Sequence, residues 1–134
     1  MRDDVIINKI ETIKRCIKRI EEEYSNTPSN LENYTKQDSI ILNLQRMCEA
    51  TLDLGLHYIK MKRLEIPQTS KQIFEILEKN GLIDKKISIN LQGMVGFRNI
   101  AVHDYQSLNI EILQKIIEKH LGDSLIIAKK ILED

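Results

Sequence analysis

The chain carries the stretch IILNLQRMCEATLDLGLHYIKM at residues 40–61. Apolar side chains recur in it at alternating steps of three and four residues, which is the period of one α-helical face. This stripe comprises Ile40, Leu44, Met47, Thr51, Leu54, Tyr58 and Met61. A second apolar row flanks the stripe, and Leu42 and Leu56 lie on the opposite side with Glu49 midway between them. A helix that is apolar on so much of its circumference is central in a helical bundle or also contacts a second chain.

Helical patterns continue on the N-terminal side of this stretch. Thr35 followed by Asp38 resembles a capping box and predicts that the central helix starts there and runs to about residue 63. Ser25 to Tyr34 is predicted to be a loop. A first helix is predicted from about residue 3 to residue 24, on a seam formed by Ile6, Ile10, Ile13, Ile17, Ile20 and Tyr24. Its basic residues favour a solvated face, with an RNA-binding track as the alternative: Lys14, Arg15, Lys18 and Arg19.

Three further helices are predicted on the C-terminal side. Thr69 or Ser70 caps a short third helix that Asn80-Gly81 ends, and Asp84 starts a fourth. Asn109 caps a last helix to about residue 132, on a stripe formed by Ile110, Leu113, Ile117, Leu121, Leu125, Ala128 and Leu132. Five helices without a strand pattern predict an all-α, up-and-down antiparallel bundle, with residues 1–134 as a single domain.

Composition narrows the classes of function. The chain has 134 residues with 20 basic and 20 acidic side chains, so it lacks the basic excess of proteins that coat long nucleic acids. An enzyme that holds a few phosphates locally is not excluded. Cys16 and Cys48 fit reduced, small apolar residues, and no metal site or cofactor is predicted. Neither a signal peptide nor an apolar run of about eighteen residues is present, so we expect a cytoplasmic protein that does not enter membranes.

The fourth helix ends in GFRNIAVHDY at residues 96–105. Asn99 and His103 are one helical turn apart, whereas Arg98 lies in an apolar arc about 140° away from His103. A guanidinium in such a place needs a partner, and Glu49 is the predicted one. Either the helix loosens before His103, or the working site combines two protomers. Glycines at 93 and 96 would admit a partner helix or an RNA backbone.

The arrangement Arg98-Asn99-x3-His103-Asp104-Tyr105 resembles the R-x4-H-x-Y signature of HEPN-domain proteins of the HepT type. The isoleucine-rich opening helix, the run at 41–46 and the glycines at 93–96 extend the resemblance over nearly the whole chain. It implies a dimerising toxin of a bacterial toxin–antitoxin pair. The activity implied is metal-independent RNA cleavage at a cleft between protomers. The implied partner is a minimal nucleotidyltransferase antitoxin of the MntA type.

The resemblance also implies roles for individual residues. Arg98 would stabilise the transition-state phosphate, His103 would act as general acid or base, and Asn99 would orient the phosphate or the imidazole. Tyr105 would accept AMP from the antitoxin, which silences the toxin. Two alternatives remain at this point. The chain could be a non-catalytic subunit that binds nucleotide or substrate for a partner transferase, or Arg98 could be a structural bundle arginine, with His103 capping the helix end and Tyr105 packing on the last helix.

Overall fold

Six α-helices and two short 3₁₀ helices make up the protein in a computed structural model, which describes residues 3–134. Met1 and Arg2, which belong to the predicted domain, lie outside the described residues. The described part of the chain contains no strand, so the predicted all-α class is confirmed. The α-helices are α1 (Asp4–Tyr24), α2 (Tyr34–Met61), α3 (Ser70–Lys79), α4 (Lys85–His103), α5 (Ile110–Lys119) and α6 (Asp123–Glu133), and the 3₁₀ helices are Pro28–Glu32 and Tyr105–Ser107.

Helix α2 is the centre of the bundle. It contacts α1, α3, α4 and α6, and its predicted stripe is buried except for Met61, which is 43% exposed. Asp3 lies beside His57 and Lys9 beside Asp53, so α1 runs antiparallel to α2. The wide apolar circumference of α2 therefore serves packing against several helices of the same chain.

Side-chain caps fix most helix starts. Thr69, Asp84 and Asn109 each accept a backbone N–H three residues further on, as the sequence predicts. The predicted start of α2 is wrong, because Asn33 caps it by accepting the N–H of Lys36. Asn33 also ends the Pro28–Glu32 turn, so the helix begins before Thr35 can act as its cap.

The predicted single helix over residues 109–132 is also wrong, because it divides into α5 and α6 at residues 120–122. His120 follows the last residue of α5, and Gly122 precedes the first residue of α6. Glycine is unfavourable inside a helix, so Gly122 favours a break at this point. The break rotates α6 so that Ser124, Ile127 and Ile131 are buried while the predicted Leu125 and Leu132 are only half-buried. Ser124 thereby reaches α2, where its hydroxyl accepts a hydrogen bond from Thr51 at 2.9 Å.

Helix α3 lies close against α2 at Gly55. A Cβ atom at Gly55 would stand 2.8 Å from Cγ2 of Ile73, a distance that side chains do not tolerate. Glycine is therefore required here by packing. The close approach places the first turn of α3 beside α4, next to the region that carries the sequence motif.

Candidate active site

Helix α4 carries Arg98, Asn99 and His103 as one regular helix. Asp84 caps its start, and at its end the N–H of Asp104 donates to the carbonyl of Ile100 at 2.8 Å. The helix does not loosen before His103, which removes one of the two explanations for the separated side chains. Arg98 and His103 of one protomer therefore project about 140° apart.

Arg98 lies between α4 and α2 with only 18% of its side chain exposed. Its Nη1 is 3.8 Å from Oε1 of Glu49, so the predicted partner is confirmed as a loose ion pair, too long for a hydrogen bond. The Glu49 side chain is 56% exposed, which makes the pair weak. The Nε of Arg98 is buried without a hydrogen-bond partner among residues 3–134. A buried donor of this kind is costly. The rest of the guanidinium is held only by the loose pair with Glu49 and can bind an anion.

Asn99 and His103 lie one turn apart at the exposed edge of α4. Within the described chain neither side chain makes a hydrogen bond or an ion pair. The capping position after the helix belongs to Asp104, so the interpretation of His103 as a capping side chain gains no support. An amide and an imidazole that are both free and adjacent can contact one ligand together.

Tyr105 follows the end of α4, in the short 3₁₀ helix Tyr105–Ser107. Its hydroxyl donates to Oδ1 of Asp38 at 2.5 Å and lies 3.5 Å from Oε1 of Gln37, both on α2. Burial, followed by the hydrogen bond to Asp38 and the charge of that carboxylate, raises the pKa of Tyr105 to about 12. The side chain is 41% exposed, so it is tethered through its hydroxyl to α2 and remains reachable from solvent.

Sequence reasoning missed Asp38 as part of the site and assigned it to a helix cap. The hydrogen bond joins residues 67 positions apart, so no local sequence pattern indicates it. The available signal was Asn33, because asparagine is a better N-cap than threonine. With Asn33 as the cap of α2, Asp38 has no capping role and is free for another contact.

Gly93 and Gly96 are not required by packing inside the protomer. A Cβ atom at Gly93 would meet nothing within 4 Å, and one at Gly96 would meet only the side chain of Lys71, at 3.7 Å. Each glycine costs a helix about 1 kcal/mol relative to alanine. Ile89 and Ile100, which are 55% and 43% exposed, continue the same side of α4. We call Ile89, Gly93, Gly96 and Ile100 the outer face of α4, a surface of apolar and small residues.

The other two histidines have structural partners, which the sequence did not indicate. Nε2 of His57 lies 2.9 Å from Oδ2 of Asp3, the cap of α1. Nδ1 of His120 lies 3.3 Å from Oδ2 of Asp123, at the break between α5 and α6. Both histidines therefore contact carboxylates at helix starts.

Every helix among residues 3–134 is too short or too polar to span a membrane. That range holds no group of three or more His, Cys, Asp or Glu side chains placed to bind a metal ion.

Comparison with known proteins shows close relatives. The model of a family described as ribonuclease HepT-like matches residues 10–131. The mRNA nuclease HepT of Shewanella oneidensis is 51% identical over 121 residues, which cover 90% of this chain and 91% of that protein. The tri-AMPylated HEPN toxin of Shewanella oneidensis, solved in complex with an MNT antitoxin, superposes with a TM-score of 0.94 at 47% identity, covering 99% of this chain and 100% of that one. A toxin–antitoxin crystal structure with AMP-PNP gives 0.91 at 48% identity, covering 97% and 99%.

Proposed function

Because the chain belongs to the HepT-like ribonuclease family, we propose that it is the toxin of a bacterial toxin–antitoxin pair and that it cleaves RNA. Its relative of 51% identity is an mRNA nuclease, which makes messenger RNA the first substrate class to test and the cytoplasm the expected place of action. Four of the other five described α-helices contact α2, which supports treating residues 1–134 as one domain. The observation that carries the proposal is Arg98, on the helix that presents Asn99 and His103: its buried Nε has no hydrogen-bond partner among residues 3–134, and its Nη1 is only loosely paired with Glu49.

The proposed reaction uses the RNA's own 2′-hydroxyl as nucleophile. A bond forms between the 2′-oxygen and the adjacent phosphorus while the bond to the 5′-oxygen breaks. His103 accepts the proton of the 2′-hydroxyl or donates one to the leaving 5′-oxygen, since imidazoles exchange protons near neutral pH. Arg98 stabilises the charge that develops on the phosphorane-like transition state, and Asn99 orients the phosphate. The scheme assigns no role to a metal ion because the RNA supplies the nucleophile.

We further propose a homodimer in which two α4 helices meet. On a regular helix, Arg98 and His103 of one protomer diverge, and a second protomer can bring the missing group to the same phosphate. The outer face of α4 supports association next to His103, because its glycines have no packing role within one chain and its isoleucines are exposed. Removing such apolar surface from water favours association.

Tyr105 is the proposed acceptor of AMP from a cognate MntA-type nucleotidyltransferase antitoxin. The HEPN toxin of 47% identity is tri-AMPylated in its complex with an MNT antitoxin, and Tyr105 offers a reachable hydroxyl two residues after His103. Phosphate added at this hydroxyl would break the hydrogen bond to Asp38 and bring negative charge beside His103. It would then compete with RNA phosphate for the cationic groups of the site.

The test is cleavage of a mixed RNA pool by the purified, unmodified chain in excess EDTA. Arg98→Ala and His103→Ala should each lower the rate by at least about 100-fold, the range typical of transition-state and acid–base groups. His57→Ala is the matched histidine control and should retain activity, because His57 lies near the C-terminal end of α2 and contacts Asp3. Circular dichroism should show intact helices in all three variants.

Retained cleavage in both site variants would contradict the assignment of the site. If the folded wild-type protein does not cut RNA at all, the ribonuclease proposal fails. A chain that binds the antitoxin or ATP without cutting would then be a non-catalytic subunit of the transferase.

A further inference from the structure

Lys71, in the first turn of α3, lies over the backbone of α4 at Gly96. A Cβ atom at Gly96 would stand 3.7 Å from Nζ and 4.0 Å from Cε of Lys71. The lysine is exposed, and within residues 3–134 it makes no hydrogen bond or ion pair. Some other surface lysines are paired, such as Lys9 with Asp53 at 3.0 Å and Lys62 with Asp134 at 2.7 Å. The ammonium group of Lys71 is therefore an uncompensated positive charge held against α4.

This charge lies on the side of α4 that carries His103. On an α-helix, Gly96 and His103 differ by about 20° and are about 10 Å apart along the axis, and Asn99 lies about 60° from Gly96 between them. Arg98 is about 160° from Gly96, on the side that faces Glu49. Within one protomer, Lys71 is therefore a cation on the same side of α4 as Asn99 and His103.

A methyl group at Gly96 would make only ordinary van der Waals contact with Lys71, so the lysine does not require a glycine here. An unpaired ammonium group about 10 Å along the helix from a free imidazole, with a free amide between them, is complementary to a polyanion that runs along the helix.

We propose that Lys71 is a substrate-binding residue that holds an RNA phosphate neighbouring the one that is cleaved. This inference rests on the proposed ribonuclease function, and it adds a contact outside the Arg98–His103 motif. The contact is electrostatic and independent of base identity, so it sets the position of the strand along α4. RNA bound by Lys71 presents its next phosphate to Asn99 and His103.

The test measures RNA binding without cleavage, in the His103→Ala background. The dissociation constant of a fluorescent single-stranded RNA is measured by anisotropy over a series of salt concentrations. Adding Lys71→Ala should reduce the slope of log K against log salt by about 0.7, the value for one phosphate contact on a single strand. Lys71→Arg should keep the slope, and Lys130→Ala, which removes an exposed lysine of α6, should leave both slope and affinity unchanged.

A kinetic measurement separates a binding role from a structural one. In the otherwise wild-type chain, Lys71→Ala should raise KM several-fold and leave kcat nearly unchanged, because a phosphate remote from the reaction is held equally in ground and transition states. A wild-type chain that cuts RNA while Lys71→Ala keeps its salt slope and its KM would overturn this inference and leave the ribonuclease function intact. A wild-type chain that neither cuts nor binds RNA would overturn both.

Discussion

Replacing Tyr105 by phenylalanine tests whether its hydroxyl serves modification and not RNA cleavage. The substitution keeps the ring and removes one oxygen, which donates to Asp38 at 2.5 Å. A hydrogen bond to a charged group contributes about 1.5–3 kcal/mol when it is shielded from water. Tyr105 is 41% exposed and Asp38 is exposed, so water competes and we expect a loss of about 1 kcal/mol in the free energy of unfolding.

That loss corresponds to a decrease of about 3–5 °C in Tm for a chain of this size. Urea unfolding followed by circular dichroism measures it, with Tyr34→Phe as the matched control because Tyr34 is 79% exposed. RNA cleavage by Tyr105→Phe should stay within about twofold of wild type, since the phenol neither donates nor accepts a proton in the proposed reaction. Transfer of labelled AMP by a nucleotidyltransferase partner should be abolished, because the accepting oxygen is gone.

The ionisation of Tyr105 provides a second test of its hydrogen bond to Asp38. The pKa of about 12 means that the folded state favours the neutral phenol over the phenolate. The hydrogen bond therefore stabilises the fold fully below about pH 10, the ordinary tyrosine value, and the benefit is lost as pH rises through about 12. Asp38→Asn should lower the pKa of Tyr105, measured as the phenolate absorbance difference between each protein and its Tyr105→Phe counterpart.

Two results would refute this reasoning. If Tyr105→Phe cleaves RNA as poorly as His103→Ala while its helices stay intact, the phenol takes part in the chemistry. If Asp38→Asn leaves the ionisation of Tyr105 unchanged, the hydroxyl is not bound to that carboxylate in solution.

Two further predictions concern the thiols and the ion pair behind the site. Cys16 and Cys48 are 1% and 2% exposed, and burial raises the pKa of Cys48 to about 12, so a thiol reagent at neutral pH should label both only after unfolding in guanidinium. Rapid labelling of the native protein would show that this part of the core opens. Glu49→Ala removes a 3.8 Å pair with Arg98 and should change the free energy of unfolding by less than about 1 kcal/mol. The same variant should lower the KM for RNA, because no carboxylate then competes with phosphate for Arg98; an unchanged or higher KM would contradict that competition.

Local sequence determined the helices and most of their starts. Thr69, Asp84 and Asn109 are correct as predicted caps because a capping side chain bonds a backbone N–H only three residues away. The central position of α2 was also predictable, since a helix with such a broad apolar surface needs several other helices to cover it. The division of α5 from α6 was missed, although Gly122 was its available signal.

The motif on α4 was visible in the sequence, whereas its surroundings were decided by tertiary structure. Helical periodicity places Asn99 and His103 together and Arg98 apart, because these relations depend only on residues within two turns. The partners of the site come from other helices: Glu49 for Arg98, Asp38 for Tyr105 and Lys71 over Gly96. Contacts between residues so distant in sequence follow from how whole helices pack, and packing is the sum of many small dispersion and burial terms that no short segment contains.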